Sequence, residues 1–255
     1  MKHGKLTYLI ALTVFGCLML PATSMAQDLA SQARAGDASA DRGIFFNRAE
    51  TIGEGNTTFN AYELLFAGVT HAWSNDAQAT VNFLIPITQE FPTFLLSNAK
   101  LVLSRTPNLT FALQGEASYL ASGDFSSGTF GAAALLDYYV SPKFVLHAQL
   151  GLNTLWGEVD DTDEDLDLAA GKIGVARIVG GFHYVASDLV RLNFETALPA
   201  AYGDGNFEFA EDAILFYGVR FAGKSLSADL GFVRPLIESG GIITGLLWVS
   251  FAARF

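Results

Sequence analysis

The pattern that decides the fold is clearest in residues 109–120, LTFALQGEASYL. Apolar side chains occupy one set of alternate positions, and mostly polar side chains occupy the other. The apolar set is Leu109, Phe111, Leu113, Ala117 and Tyr119, and the polar set is Thr110, Gln114, Glu116 and Ser118. Because successive side chains of a β-strand point to opposite faces, this stretch predicts a strand with one apolar and one polar face.

The same pattern recurs along the chain, interrupted by turn-forming residues. It predicts an all-β fold with twelve strands, at residues 42–51, 57–73, 77–87, 93–105, 109–121, 128–140, 144–157, 172–186, 189–201, 212–223, 227–236 and 242–255. An even number of strands is typical of antiparallel up-and-down barrels in bacterial membranes. Because no linker divides this region, residues 42–255 are predicted to form one transmembrane β-barrel.

The predicted connections alternate between two lengths. Tight turns lie at residues 74–76, 106–108, 141–143, 187–188 and 223–226, and longer loops lie at residues 88–92, 123–127, 158–171 and 202–211. Short periplasmic turns opposite longer extracellular loops are typical of outer-membrane barrels. Aromatic side chains fall near both ends of the strands, which matches the two membrane–water interfaces.

The first residues predict export. Lys2 and Lys5 precede an apolar run at residues 6–20, and small residues follow at the expected cleavage site. Residues 1–26 are therefore predicted to be a signal peptide that is removed after Ala26. Residues 27–41 are small and polar, and they predict a flexible periplasmic leader.

Composition excludes several classes of protein. The chain has 26 acidic and 15 basic residues, so its charge gives no reason to bind nucleic acid. Cys17, its only cysteine, lies in the predicted signal peptide, so the mature chain would have no disulfide or thiolate site. Although 51% of the residues are hydrophobic, no apolar segment after the signal peptide is long enough for a membrane helix. A closed β-barrel fits these features, because every backbone group can be paired within its wall.

The chain ends with residues 242–255, IITGLLWVSFAARF, in which Leu247, Val249, Phe251 and the terminal Phe255 share one face. This ending resembles the C-terminal assembly signal of bacterial outer-membrane β-barrel proteins, and the chain resembles a small porin-like member of that class. The resemblance implies a location in the outer membrane and contact with its lipid. It also implies recognition by the barrel-assembly machinery during biogenesis. A soluble periplasmic barrel or sandwich would alternate equally well, but the loop lengths, aromatic positions and terminal phenylalanine favour the membrane.

The polar faces predict a charged barrel interior. The predicted lumen-lining residues are Glu63, Lys100, Glu116, Asp137, His147, Arg177, Arg191, Glu195, Arg220, Asp229 and Arg254. Ionised groups enclosed in a barrel must be paired or hydrated. These residues could line a narrow channel for small polar solutes, which is the function favoured here. Alternatively, they could form a salt-bridge network inside a non-conducting structural or adhesive barrel that acts through its outer loops.

Other chemistry is weakly indicated. Asp161, Asp163 and Asp165 imitate the start of a calcium loop, but Leu166 replaces the required glycine, so no metal site is predicted. A lipid-modifying enzyme would need a base such as histidine near the outer rim. The predicted topology places His71, His147 and His183 away from that rim, so no catalytic residue and no cofactor is predicted.

Overall fold

The computed structural model describes residues 36–63, 65–86, 92–123, 125–159, 173–203, 206–210, 213–236 and 245–255. These residues contain thirteen β-strands: β1 Thr57–Tyr62, β2 Phe66–Ala72, β3 Ala77–Leu84, β4 Thr93–Arg105, β5 Leu109–Ser122, β6 Phe125–Ser141, β7 Phe144–Val159, β8 Ile173–Val185, β9 Val190–Gly203, β10 Asn206–Phe209, β11 Ile214–Phe221, β12 Leu226–Pro235 and β13 Leu246–Arg254. Over the same ranges, no helix is long and apolar enough to cross a membrane.

All thirteen strands belong to one antiparallel sheet that closes on itself. Each strand from β1 to β9 pairs with the next, β11 follows β9, and β13 returns to β1 with Arg254 opposite Thr58. The short β10 pairs with the end of β9 beyond the region that β11 covers. The wall described by these residues is therefore twelve strands wide, and the predicted twelve-stranded antiparallel barrel is confirmed.

The two ends of the barrel differ. The tight-turn end carries the connections at residues 73–76, 106–108, 142–143, 186–189 and 222–225. The start of β1 and the chain terminus meet there, where the amide of Phe255 donates to the carbonyl of Thr57 at 2.8 Å. The opposite end is called the loop end, and its connections include residues outside the described ranges. Most of the acidic loop predicted at residues 158–171 lies outside the described ranges. The predicted signal peptide also lies outside them.

The alternating side chains of the strands place large apolar residues on the outer face of the barrel and polar residues in its interior. Leu101, Leu113 and Leu150 have about half of their surface exposed on the outer face. Lys100 and Gln114, their neighbours in sequence, are buried in the interior. This arrangement is the reverse of that in a soluble protein, where large apolar side chains fill the core.

Two predicted strands are wrong, and the errors cancel in the count. Residues 42–51 form no strand, because they lie inside the barrel. Residues 57–73 form two strands, β1 and β2, which are joined by a tight turn at Glu63 with a φ angle of 50°. The carboxylate of Glu63 accepts a hydrogen bond from the amide of Val249 on β13, so this turn is held by a contact distant in sequence. Glu63 therefore belongs to a turn at the loop end rather than to the middle of a strand.

Candidate functional site in the barrel lumen

Residues 36–56, here called the N-terminal plug, occupy the lumen at the tight-turn end. Ile44, Ala49 and Glu50 in this segment have no exposed surface. The plug is bonded to eight of the twelve strands of the wall, through Gln78 on β3, Lys100 on β4, Thr110 and Gln114 on β5, Asp137 and Tyr139 on β6, Glu195 on β9, Arg220 on β11, Ser227 on β12 and Ser250 on β13. A segment can reach all these strands only from inside the closed wall. The predicted flexible leader at residues 27–41 is therefore wrong for residues 36–41, and the remainder lies outside the described residues.

Two buried cations hold the backbone of the plug. The Lys100 ammonium donates to the carbonyl oxygens of Asp41, Arg48 and Glu50, at 3.2, 2.8 and 2.5 Å. The plug backbone in this region is irregular and has few partners of its own, so its buried carbonyl groups need donors from the wall. Lys100 supplies three such donors from one side chain.

Arg220 plays the same part on the opposite side of the lumen. Its guanidinium donates to the carbonyl oxygens of Ser39, Arg42 and Gly43, and it forms an ion pair with Asp229 at 2.6 Å. Arg220 and Asp229 are both fully buried. Five donors in a rigid fork suit a guanidinium to bind carbonyls and a carboxylate at once.

The plug also brings charges of its own. Arg48 lies 3.1 Å from Asp137 in an ion pair that lacks aligned hydrogen-bond geometry. Glu50 accepts hydrogen bonds from the hydroxyl groups of Thr110 at 2.6 Å and Tyr139 at 2.8 Å. These wall residues thus find charged or polar partners on the plug.

Asp37 lies in the plug outside the strands and contacts two wall arginines, Arg191 at 3.3 Å and Arg220 at 3.4 Å. Burial alone would raise the pKa of the Asp37 carboxyl group. The positive charges, Arg220 first among them, and a hydrogen bond from the Ser39 amide outweigh burial and lower the pKa to about 2. Asp37 is therefore a buried anion, and the wall charges around it are compensated.

The apex of the plug contacts Glu195. The amide of Phe45 donates to the Glu195 carboxylate at 2.8 Å, and His147 lies 3.2 Å from the same carboxylate. Gly43 lies against that carboxylate so closely that a Cβ atom at this position would be 1.9 Å from Oε1 of Glu195. The absence of a side chain at Gly43 thus permits the close approach.

The loop half of the lumen has a different lining. One wall there is polar, since Arg177 on β8 forms an ion pair with Glu116 on β5. Glu116 also accepts hydrogen bonds from Gln114 and Asn153, at 2.7 and 3.2 Å. None of these contacts involves the plug directly, although the amide of Asn47 donates to Gln114 at 2.9 Å.

The other wall of the loop half is aromatic and apolar. Phe45 of the plug stacks on Phe216 of β11 with centroids 4.7 Å apart, and it lies 5.1 Å from the centroid of Trp248 on β13. Phe46 meets Phe216 edge to face at 5.3 Å, and Ile44 packs in the same cluster. Phe216 shares its face of β11 with Arg220, and Trp248 shares its face of β13 with Ser250, so both rings point into the lumen.

The predicted lumen residues divide between these two halves. Lys100, Asp137, His147, Arg191, Glu195, Arg220 and Asp229 are buried inside the wall near the plug. Arg254 donates to the carbonyl of Asp37, and Glu116 and Arg177 pair with each other beyond the plug. Among the residues of the predicted assembly signal, Leu247 and Phe251 are exposed on the outer face and Phe255 is at the chain end.

Sequence reasoning missed the partners of these charges. Asp37 and Glu50 lie in segments predicted as a leader and a strand, and Tyr62, Phe216 and Trp248 carry no polar signal. One signal was available: residues 37–50 contain five charged side chains, Asp37, Asp41, Arg42, Arg48 and Glu50. That density is high for a lipid-exposed strand.

Two sites considered from the sequence were a metal site and a histidine-based site near the loop end. No group of three or more His, Cys, Asp or Glu residues in the described part of the chain is placed to hold a metal ion. His71 contacts the hydroxyl of Thr57 near the tight-turn end, while His147 and His183 are buried in the interior. The three histidines thus lie where the sequence predicted, away from the loop end.

Comparisons with known proteins identify no family for the chain. No protein-family model and no curated protein matches the chain. Among solved structures, the NanC porin has a TM-score of 0.49 and 9% identity over 78% of this chain and 97% of its own. The KdgM porin, in complex with disordered oligogalacturonate, has a TM-score of 0.44 and 8% identity over 78% and 95%. The toluene transporter TodX of Pseudomonas putida has 0.43 and 9% over 87% and 95%. Arguments about function therefore rest on the residues of this chain.

Proposed function

We propose that the protein is an outer-membrane channel that its own N-terminal plug closes at the tight-turn end, and that small solutes pass when the plug is displaced. The observation that carries this proposal is the set of bonds between residues 36–56 and strands on opposite sides of the lumen, such as β4 and β11. The favoured sequence hypothesis, a narrow channel lined with free charges, is thereby refined: the interior charges near the plug bind it.

The proposed location rests on the outer face of the barrel. Large apolar side chains such as Leu113, Leu150 and Leu230 are about half exposed there. Leaving apolar surface in water costs about 25 cal/mol per Å². A belt of such residues around a closed wall is stable in lipid, where the paired strands also satisfy every backbone group. The terminal Phe255 fits recognition by the barrel-assembly machinery.

The proposed gate rests on how the plug is attached. It is held by ion pairs, by hydrogen bonds and by the apolar packing of Ile44 and Ala49, and not by incorporation into the sheet as a strand. Such bonds can be exchanged for bonds to water, and the freed charges then line an aqueous path at the tight-turn end. A segment integrated into the sheet could not leave without breaking the barrel.

The experiment locks the plug to the wall. The hydroxyl oxygens of Ser39 on the plug and Ser227 on β12 lie 2.6 Å apart, close to the ~2 Å separation of two bonded sulfurs. A Ser39→Cys/Ser227→Cys pair in a Cys17→Ala background contains no other thiol. Single-channel conductance in a planar bilayer is then recorded before and after reduction. We expect silence when the disulfide is formed and openings after reduction.

Ser39→Cys alone, exposed to the same oxidant, is the control and should open in both conditions. Equal conductance of the locked and reduced double variant would show that the plug is not the gate. Silence of a folded barrel under all conditions would favour the second candidate, a non-conducting barrel that acts through its outer loops. The compensated charges around the plug are the observation that favours this alternative.

A further inference from the structure

The loop half of the lumen has a feature that neither sealing nor ion passage explains. Phe45, at the apex of the plug, keeps 46% of its surface exposed although it lies inside the barrel. Its neighbours Ile44 and Phe46 pack into the apolar cluster and account for the seal between plug and wall. An exposed aromatic ring in a water-filled lumen is unfavourable by about 25 cal/mol per Å² of apolar surface.

The exposed ring belongs to an ordered aromatic floor. Phe45 is stacked on Phe216 with planes 25° apart and is tilted by 59° against Trp248. Trp248 in turn lies 5.9 Å from Tyr62, whose other neighbour is the Arg42 guanidinium, 4.7 Å from the ring centroid. Centroid distances of 4.5–7 Å are those at which aromatic rings attract one another. A further flat ring can extend this array over Phe45.

A polar group stands on the neighbouring wall. Arg177 lies on the same face of β8 as Val179, which belongs to the apolar cluster, and two residues before it in the chain. The side chain of Arg177 is 22% exposed, while that of its partner Glu116 is 8% exposed. The positive member of the pair is thus the one that faces the free part of the lumen.

We propose that the loop half of the lumen is a binding site for small aromatic molecules that carry a carboxylate, with the ring over Phe45 and the carboxylate toward Arg177. Binding sites for small molecules combine an aromatic or apolar lining with a few placed polar groups, which is the combination found here. The site deepens the proposed channel by naming the class of solute that collects above the plug. It rests on the proposed function only for the later passage of the ligand.

The chain provides its own reporter of binding. Its three tryptophans are Trp73, Trp156 and Trp248. Trp73 is 61% exposed on the outer face, and Trp248 lies in the aromatic floor. A Trp73→Phe/Trp156→Phe variant therefore reports on the lumen alone. The matched Trp156→Phe/Trp248→Phe variant reports on the lipid-facing surface. The probe is 4-nitrobenzoate, an aromatic carboxylate that quenches tryptophan fluorescence on contact.

We expect saturable quenching of Trp248 and only weak, linear quenching of Trp73. Phe45→Leu keeps an apolar side chain and removes the ring, and it should weaken binding about 2- to 12-fold, since ring stacking contributes about 0.5–1.5 kcal/mol beyond burial. The Glu116→Gln/Arg177→Gln pair replaces the ion pair by two amides. It should weaken 4-nitrobenzoate binding at least about tenfold and leave the neutral probe 4-nitrobenzyl alcohol unaffected.

Linear quenching of both tryptophans to the same degree would overturn the proposal, because it indicates partition into lipid. Unchanged affinity in Phe45→Leu would also overturn it, as would absence of Trp248 quenching. The titration is repeated with the Ser39→Cys/Ser227→Cys disulfide formed. Binding to the locked barrel supports the site even if the conductance experiment shows that the plug is not a gate. The two proposals therefore fail separately.

Discussion

The two halves of the lumen are built from the same strands but stabilised in different ways. On β11, Arg220 at the tight-turn end is fully buried and bonded to the plug, and Phe216, four residues away on the same face, contributes to an aromatic floor. On β13, Ser250 hydrogen-bonds Asp229, and Trp248 lies against Phe45. A distance of two to four residues along a strand thus separates interior positions that bind the plug or its charged partners from interior positions that are aromatic.

The buried charges at the tight-turn end serve the backbone of the plug. A segment with irregular backbone can enter a lumen only if its buried carbonyl and amide groups find partners. Lys100 and Arg220 provide those partners at the tight-turn end. Among the described residues, no backbone segment fills the lumen above the plug, and interior-facing positions there include the aromatic residues Phe216 and Trp248. Most of the buried charge in this lumen therefore lies beside the plug, and the Glu116–Arg177 pair lies beyond it.

The same substitution in each half should have unequal effects. Arg220→Ala removes a fully buried guanidinium and leaves Asp229, Asp37 and three plug carbonyls without it, so we expect a loss of about 3–5 kcal/mol in the free energy of unfolding. Arg177→Ala removes a partly exposed partner of Glu116 and should cost about 1 kcal/mol. Urea unfolding in liposomes, followed by intrinsic fluorescence, measures both.

Equal losses in the two variants would contradict the distinction between a filled and an open half. Protease accessibility of the plug provides a second measurement. Arg220→Ala should expose residues 36–56 to cleavage, whereas Arg177→Ala should leave them protected.

Much of the barrel was predictable from period-two alternation, because the side-chain period of a strand is a property of its backbone. Ten of the twelve predicted strands, from residues 77–87 onward, correspond to strands of the structure. The exceptions have a physical cause. Ile44, Phe45 and Phe46 form a short apolar run between polar residues, as in a short strand, yet their surroundings are lumen rather than lipid. The turn at Glu63 has no Gly, Pro or Asn, and it depends on a hydrogen bond from β13.

The interior positions of the charged residues followed from the same alternation, but their partners did not. Arg48 and Asp137 are 89 positions apart, and nothing local in the sequence relates them. Whether a lumen charge meets water or another chain segment is decided by tertiary structure. The hypothesis of free channel charges and the hypothesis of a salt-bridge network therefore could not be separated from the sequence.

A second effect concerns pH and again separates the halves. The pKa of Asp37 falls from 3.8 to about 2 on folding, chiefly because Arg220 and the other nearby positive charges outweigh its burial. A depressed folded-state pKa stabilises the protein above the unfolded value and ceases to do so as pH falls to the folded value. We expect the free energy of unfolding to decrease by about 2 kcal/mol between pH 4 and pH 2 from this group.

Asp37→Asn should lose this part of the pH dependence, while Glu116→Gln in the loop half should retain it. Unfolding curves at pH 5, 4, 3 and 2 for the three proteins provide the measurement. An identical slope in Asp37→Asn and the parent chain would show that the plug carboxylate is not a buried anion.

The smallest expected effect comes from one methyl group at the apex of the plug, where the two halves meet. In Gly43→Ala the new Cβ would lie 1.9 Å from Oε1 of Glu195, so the carboxylate must shift. The shift weakens the hydrogen bond that the carboxylate accepts from the amide of Phe45. Overpacking of this kind costs about 1 kcal/mol or more. Because the strain is confined to the apex, we expect a modest loss of stability together with more frequent channel openings. Gly115→Ala, whose Cβ meets no atom within 4 Å, is the matched control and should change neither quantity. If Gly43→Ala lowers stability without changing the openings, the apex contact stabilises the plug but does not take part in gating.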